Sequence, residues 1–227
     1  MRTATIAFKE YETDAPSQAA DFNRLAPFYR WMEWFTFGPF LWKCRVAFLP
    51  EMRGRKSALI LGDGDGRFAA QLLKDNPQVE VDAVDASDGM LRQLVRRAGP
   101  NTVRLRTQWA DARQLNFLAG NFDFVATHFF LDCLTTAEVA SLAIELHGRM
   151  APRAAWVISE FAIPDTLYGR LIAGPLVSAL YLAFRFLTGL SIRRLPNHRK
   201  ALSEAGFRLS KRRSRLGGLL VSEMWLA

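Results

Sequence analysis

Asp63, Asp65, Asp85, Asp111 and His128 each stand within a few residues of the C-terminal end of a short apolar run. In a chain that alternates strands and helices, those ends gather along one edge of the sheet, where ligands bind. The first such run, Ala58-Leu59-Ile60-Leu61, meets Gly62-Asp63-Gly64-Asp65-Gly66, and a helical pattern follows at once. Glycine lacks a Cβ, so this turn can take positive φ and let a ligand or another backbone come close. Its G-x-G-x-G spacing is one residue shorter than the dinucleotide pattern, which seats a pyrophosphate at a helix N-terminus. Two aspartates inside the turn would repel a pyrophosphate by on the order of several kcal/mol. They suit a cationic ligand. No Gly-Lys-Ser/Thr follows, which excludes a P-loop.

Further acids follow in order. Val81-Asp82-Ala83-Val84-Asp85-Ala86-Ser87 ends a second apolar run about 20 residues past the turn, where a carboxylate accepts both ribose hydroxyls. Trp109-Ala110-Asp111-Ala112 follows a third run and brings a short polar side chain toward an adenine amino group. A fourth run leads into Thr127-His128-Phe129-Phe130-Leu131-Asp132-Cys133. His128 is the candidate base, because its unperturbed pKa lies near neutrality. Asp132 is its candidate orienting partner and Phe129 a candidate apolar wall. The alternative for His128 is a fixed contact to a carbonyl or cofactor group that moves no proton. Glu160, at the end of a fifth run, is a candidate substrate contact. Cys44 and Cys133 lie far apart with no metal-ligand spacing, which fits a reducing compartment and no metal.

The elements that must position these residues are legible as alternation. Residues 58–61, 79–84, 103–107, 122–127 and 154–160 read as strands. Residues 67–74 read as a helix, as do 87–97, capped by Ser87, and a stretch opened by a Thr135/Glu138 capping box. That order predicts an α/β fold with a mostly parallel sheet and helices on both faces. Residues 196–205 read as a helix, and 207–213 with 219–226 as two strands joined through Gly217-Gly218. A flexible N-terminus is expected over 1–18, an aromatic-rich helical cap over 19–52, and an apolar lid over 165–192. Tyr29 and Trp34 belong to the cap. Gly174-Pro175 should kink or restart the lid helix. With the internal arginine, that break makes a membrane span the weaker reading of the lid.

The chain has 227 residues and a formal charge of +8, concentrated in its C-terminal part. A solvated arginine-rich surface, an anionic lipid surface and nucleic acid all fit such a cluster. The N-terminus lacks an apolar signal core, so a cytoplasmic protein is expected, with peripheral membrane contact left open.

Glycine turn, ribose acid and adenine acid, in this order and spacing, give a chain that resembles the class I S-adenosylmethionine-dependent methyltransferases across residues 20–227. Phe22-Asn23-Arg24-Leu25-Ala26-Pro27-Phe28-Tyr29 and Asp85-Ala86-Ser87-Asp88-Gly89-Met90-Leu91 are similar to the ubiquinone and menaquinone C-methyltransferase branch. The resemblance implies a seven-stranded sheet, five parallel strands followed by an antiparallel pair, and S-adenosylmethionine as cofactor. It implies that Gly62, Gly64 and Gly66 admit the methionine part and that Asp85, beside Ala86, holds the ribose. Met90 would pack on the adenine, Asp111 and Ala112 would fix its edge, and Tyr29 would meet the cofactor's carboxylate. The chain departs from the family in two places. Ile60 stands where an acid is usual, and Asp63 where a small residue is usual. Asp63 either supplies the missing negative charge or caps the following helix. The aromatic cap, with Trp34, and the apolar lid favour a lipophilic or aromatic small-molecule acceptor such as a phenol or quinol. Alternatives are a phospholipid or RNA methyltransferase, or a cofactor-fold binding protein without activity. No Asn/Asp-Pro-Pro-aromatic motif follows the fourth run, which makes nucleic acid the weaker choice.

Overall fold

The computed structural model describes residues 37–113, 120–188 and 194–227. The expected flexible start, most of the cap, Tyr29 and Trp34 lie outside the described residues. A short helix α1 (Phe40–Arg45) precedes β1 (Ser57–Leu61), α2 (Arg67–Asp75), β2 (Glu80–Asp85), α3 (Asp88–Ala98), β3 (Leu105–Trp109) and β4 (Phe122–His128). Then come α4 (Thr136–His147), β5 (Met150–Phe161), a π-turn (Gly169–Ala173), α5 (Gly174–Thr188), α6 (His198–Glu204), β6 (Arg208–Arg215) and β7 (Leu220–Leu226). The sheet runs β3-β2-β1-β4-β5-β7-β6, with β1 to β5 parallel and β7 antiparallel to both its neighbours.

Strand alternation divides the core. Leu59 and Leu61 pack with Val125, Trp156 and Ile158 against α4 and α6. Ala58 and Ile60 face the other way, with Ala126 and Val157, against α2 and α3. Ile60 therefore lies in an apolar layer beside Phe68 and Leu94. A carboxylate there would be desolvated without compensation. The register brings Leu61 level with Val84 on one side and Thr127 on the other. Strand order reverses between β1 and β4, the kind of switch point at which open α/β sheets bind ligands.

Local signals hold closely. Ser87 Oγ accepts the Met90 amide, and Thr135 and Glu138 form both halves of the capping box. The Gly174-Pro175 break takes the form of a π-turn passing into α5, with Pro175 in the first helical turn, where its absent N–H costs little. β3 begins at Leu105 rather than residue 103, because a 3-10 turn (Gly99–Arg104) comes first. Arg104 fixes that turn by donating to the carbonyls of Leu73, Asn76 and Val79.

Arg208, Lys211, Arg212, Arg213 and Arg215 of the basic C-terminal part lie on the edge strand β6, a placement that discourages pairing with other chains. Arg213 and Lys211 pair with Glu51, and Arg212 and Arg199 with the buried Glu223. Part of that charge is therefore structural.

Gly66 is held at φ +77, and a Cβ there would stand 2.5 Å from the Leu94 Cα of α3. The glycine thus serves helix packing. Gly66→Ala combines left-handed strain with overpacking and is expected to cost about 3 kcal/mol in a urea unfolding titration.

Candidate active site

The acids of the sequence converge at the C-terminal ends of β1, β2, β4 and β5. Gly62 and Gly64 both have φ +63, which lets the chain double back after β1. The Gly62 amide donates to the Val84 carbonyl at 2.9 Å, and the Gly64 amide bonds the Asp85 carboxylate. Asp85 Oδ1 also accepts the Ser87 amide at 2.8 Å. One carboxylate therefore ties the glycine turn to the start of α3. At Gly62 a Cβ would fall 2.4 Å from the Phe130 ring, so this glycine makes room for the loop after β4.

The two aspartates of the turn separate. Asp65 faces α3 and is bonded by Arg67 Nε at 2.9 Å and Arg97 Nη2 at 3.0 Å. Asp63 is buried, and its Oδ2 accepts the Ala69 amide of α2 at 2.8 Å. The helix-capping role is thus present. Its Oδ1 is buried with no hydrogen-bond partner among the described residues, 3.9 Å from Arg45 Nη1. Burial pushes the Asp63 carboxyl up to about 7, against the pull of Arg45 and the Ala69 amide. Burial likewise raises Asp85 to about 6, against its bonds from Ser87 and Gly64.

The loop after β4 is fixed from β5. Glu160 is buried, and its Oε1 accepts the Phe130 and Leu131 amides at 3.1 and 2.8 Å. Its Oε2 is buried without a hydrogen-bond partner among the described residues. Burial, and then the neighbouring Asp132, hold Glu160 well above the usual carboxylate range. Burial also raises Asp132 to about 6. Phe129 occupies the left-handed region at φ 55, a strained conformation for a phenylalanine. Its ring lies 5.2 Å from that of Phe161, which lies 5.2 Å from Phe37.

His128 has a different partner from the one expected. Its Nδ1 lies 3.0 Å from Ser159 Oγ rather than on Asp132, and its ring meets Phe68 edge-on at 4.3 Å. Ser159 Oγ also lies 3.1 Å from the Cys44 carbonyl, and His128 Nε2 is buried with no hydrogen-bond partner among the described residues. Burial, then Arg45, push its pKa well below the ordinary value, which keeps the ring neutral. Asp132 instead lies beside Glu160 and Cys133.

At the adenine end, Met90 is buried while Ala86 is exposed, its carbonyl accepting the Trp109 indole N–H at 2.9 Å. Ala112 is buried. Asp111 is bonded by the Arg113 amide and guanidinium, which outweigh burial and hold its carboxyl below the usual range. Arg45 carries no sequence signal. It is buried, donates to the Asp63 carbonyl at 3.3 Å and stands 5.5 Å over the Phe129 ring.

Asp63, Asp85, Asp132 and Glu160 thus share one end of the sheet, raised by burial, with two buried carboxylate oxygens unmet. Such a set fits a ligand that brings positive charge and hydroxyl donors, as S-adenosylmethionine does.

The model of the methyltransferase domain family matches residues 58–153. The demethylmenaquinone methyltransferase of Thermus thermophilus is 30% identical over 179 residues, covering 73% of this chain and 80% of its own length. The chain belongs to the class I S-adenosylmethionine-dependent methyltransferases. Solved methyltransferases share the fold at lower identity. An O-methyltransferase family protein from Burkholderia thailandensis superposes with a TM-score of 0.66 at 18% identity, over 89% of this chain. The match spans 61% of that longer protein. An N-methyltransferase from Bradyrhizobium japonicum, in complex with S-adenosyl-L-homocysteine, has a TM-score of 0.58 at 14% identity. It is covered over 90% of its length and covers 89% of this methyltransferase.

Proposed function

We propose that this methyltransferase acts on a lipophilic, aromatic small molecule of phenol or quinol type, by in-line displacement. The observation that carries this reading is the row of rings Phe37, Phe161 and Phe129 beside the carboxyl cluster, roofed by Ala173 and Val177. Such a wall strips water from a flat apolar acceptor and gives a polar metabolite few partners. The Thermus relative, a demethylmenaquinone methyltransferase, agrees with an acceptor of this class.

When bound, S-adenosylmethionine supplies an electrophilic methyl group on a sulfonium. Asp85 would hold the ribose, with Ala86 beside it. Met90, Ala112 and Asp111 would line the adenine, and Asp63 Oδ1 would face the positive charge near Gly62 and Gly64. The role of proton acceptor falls to the Asp132–Glu160 pair: burial and Asp132 favour the protonated form of Glu160, so Asp132, raised to about 6, is the member that ionises first. His128 acts as a fixed contact, since burial, then Arg45, hold its pKa well below the ordinary value and so make the ring a weak base. Tyr29 and Trp34 stay in the reading as contacts to cofactor and acceptor.

Transfer of radiolabelled methyl to a panel of phenols and quinols of rising apolar area tests the acceptor. kcat/KM is expected to climb along the series, by about tenfold for each 1.4 kcal/mol of added apolar contact in the transition state. A preference for polar amines over every phenol and quinol would overturn the reading.

A further inference from the structure

The π-turn and α5 bury one face among Leu41, Leu219 and Leu220 through Ala173 and Val177. A helix that met only water on its other side would be polar there. Instead Leu167 and Leu171 are 76% and 72% exposed, and Ile163, Ile172, Leu176 and Leu182 continue the stripe. The element is apolar on both faces, and a contiguous exposed stripe of this kind marks an interaction surface.

The geometry points to the surface of an anionic lipid bilayer as the partner of this face, with the helix lying along the membrane. In sequence, residues 163–195 contain four arginines and one acid, Asp165, a net basic composition. Arg170 is exposed at its border, paired with the exposed Asp165 at 3.1 Å, and the exposed Lys43 lies over Phe40, in the same apolar cluster as Ala173. Apolar residues flanked by cations are the pattern of a helix held in the headgroup layer of an anionic membrane. Among the described residues, no helix is long and apolar enough to cross a bilayer. Docking of a second copy through the same face would oppose two arginine-rich segments, which like-charge repulsion disfavours. The inner side of this roof adjoins Phe129 and Phe161, so an acceptor dissolved in the membrane would meet the site beneath it. The purpose of the docking rests on the lipophilic-acceptor reading, and its location rests on the exposed leucines.

Co-sedimentation with vesicles tests it, using phosphatidylcholine alone and phosphatidylcholine mixed with phosphatidylglycerol. The wild-type protein is expected to partition onto the mixed vesicles and less onto the neutral ones. Leu167→Gln/Leu171→Gln should lower that partition by on the order of tenfold, from lost apolar contact alone. Its melting temperature and S-adenosyl-L-homocysteine affinity should stay unchanged, because both leucine side chains are mostly exposed to solvent. A wild-type protein that ignores both vesicles overturns the proposal, as does a double variant that partitions like wild type. A lipid-free dimer broken by the double variant would assign the face to a second copy instead. Turnover of detergent-dispersed acceptors, run without vesicles, reports separately on the acceptor reading.

Discussion

Replacing Asp85 with alanine is expected to weaken binding of S-adenosyl-L-homocysteine by on the order of 100-fold, read by isothermal calorimetry. A hydrogen bond to a charged acceptor contributes about 1.5–3 kcal/mol, and the ribose offers two donors to this carboxylate. The position has little tolerance, because Asp85 also accepts the Ser87 amide and the Gly64 amide. Asp85→Asn keeps one oxygen for those amides but replaces an acceptor with a donor. It should lose on the order of tenfold and melt close to wild type, which separates the ribose contact from the turn. Equal affinity in wild type and both variants would remove Asp85 from the cofactor site.

Affinity for S-adenosylmethionine should rise by on the order of tenfold between about pH 5 and pH 8. The sign follows from burial. It raises Asp63 to about 7, and Asp85 and Asp132 to about 6, from an ordinary value of 3.8. Near pH 6 the cofactor-free protein therefore carries protons on buried carboxyls. A cation in the site favours the ionised forms, so protons leave on binding and binding tightens as pH rises. S-Adenosyl-L-homocysteine, which has no sulfonium charge, should show a flatter profile. Calorimetry in buffers of different ionisation enthalpy counts the released protons, and Asp63→Asn should reduce the count. The same shifts set the sign for stability without ligand. Between about pH 4 and pH 7 the folded chain binds more protons than the unfolded chain, so these groups make stability fall as pH rises through that window. Flat affinity profiles for both ligands would contradict this account of the carboxyl cluster.

The parts of the site that sequence could reveal are those built from adjacent residues. The run into Gly62-Asp63-Gly64-Asp65-Gly66 and the placement of Asp85 depend on a strand end and the turn after it. Ser87 and the Thr135/Glu138 box depend on three or four consecutive residues. What escaped depends on register and on segments distant in the chain. His128 meets Ser159 because β4 and β5 align those two residues, which no local pattern encodes. Arg45 stands among aromatic residues in the sequence, and only the folding of α1 over the turn brings it to Asp63 and Phe129. Asp65 reads as the equal of Asp63 in sequence, and only α3, through Arg97, sets it apart. The missing acid at Ile60 has a packing reason, since strand alternation turns that residue into the α2–α3 layer.

Titration of the purified protein with S-adenosylmethionine, and separately with NAD, tests which cofactor the glycine turn accepts. A turn one residue short of the dinucleotide spacing, with unmet carboxylate oxygens, predicts saturable binding of one S-adenosylmethionine per chain and no heat from NAD. Binding of NAD, or silence toward S-adenosylmethionine under conditions where the fold is intact, would contradict it.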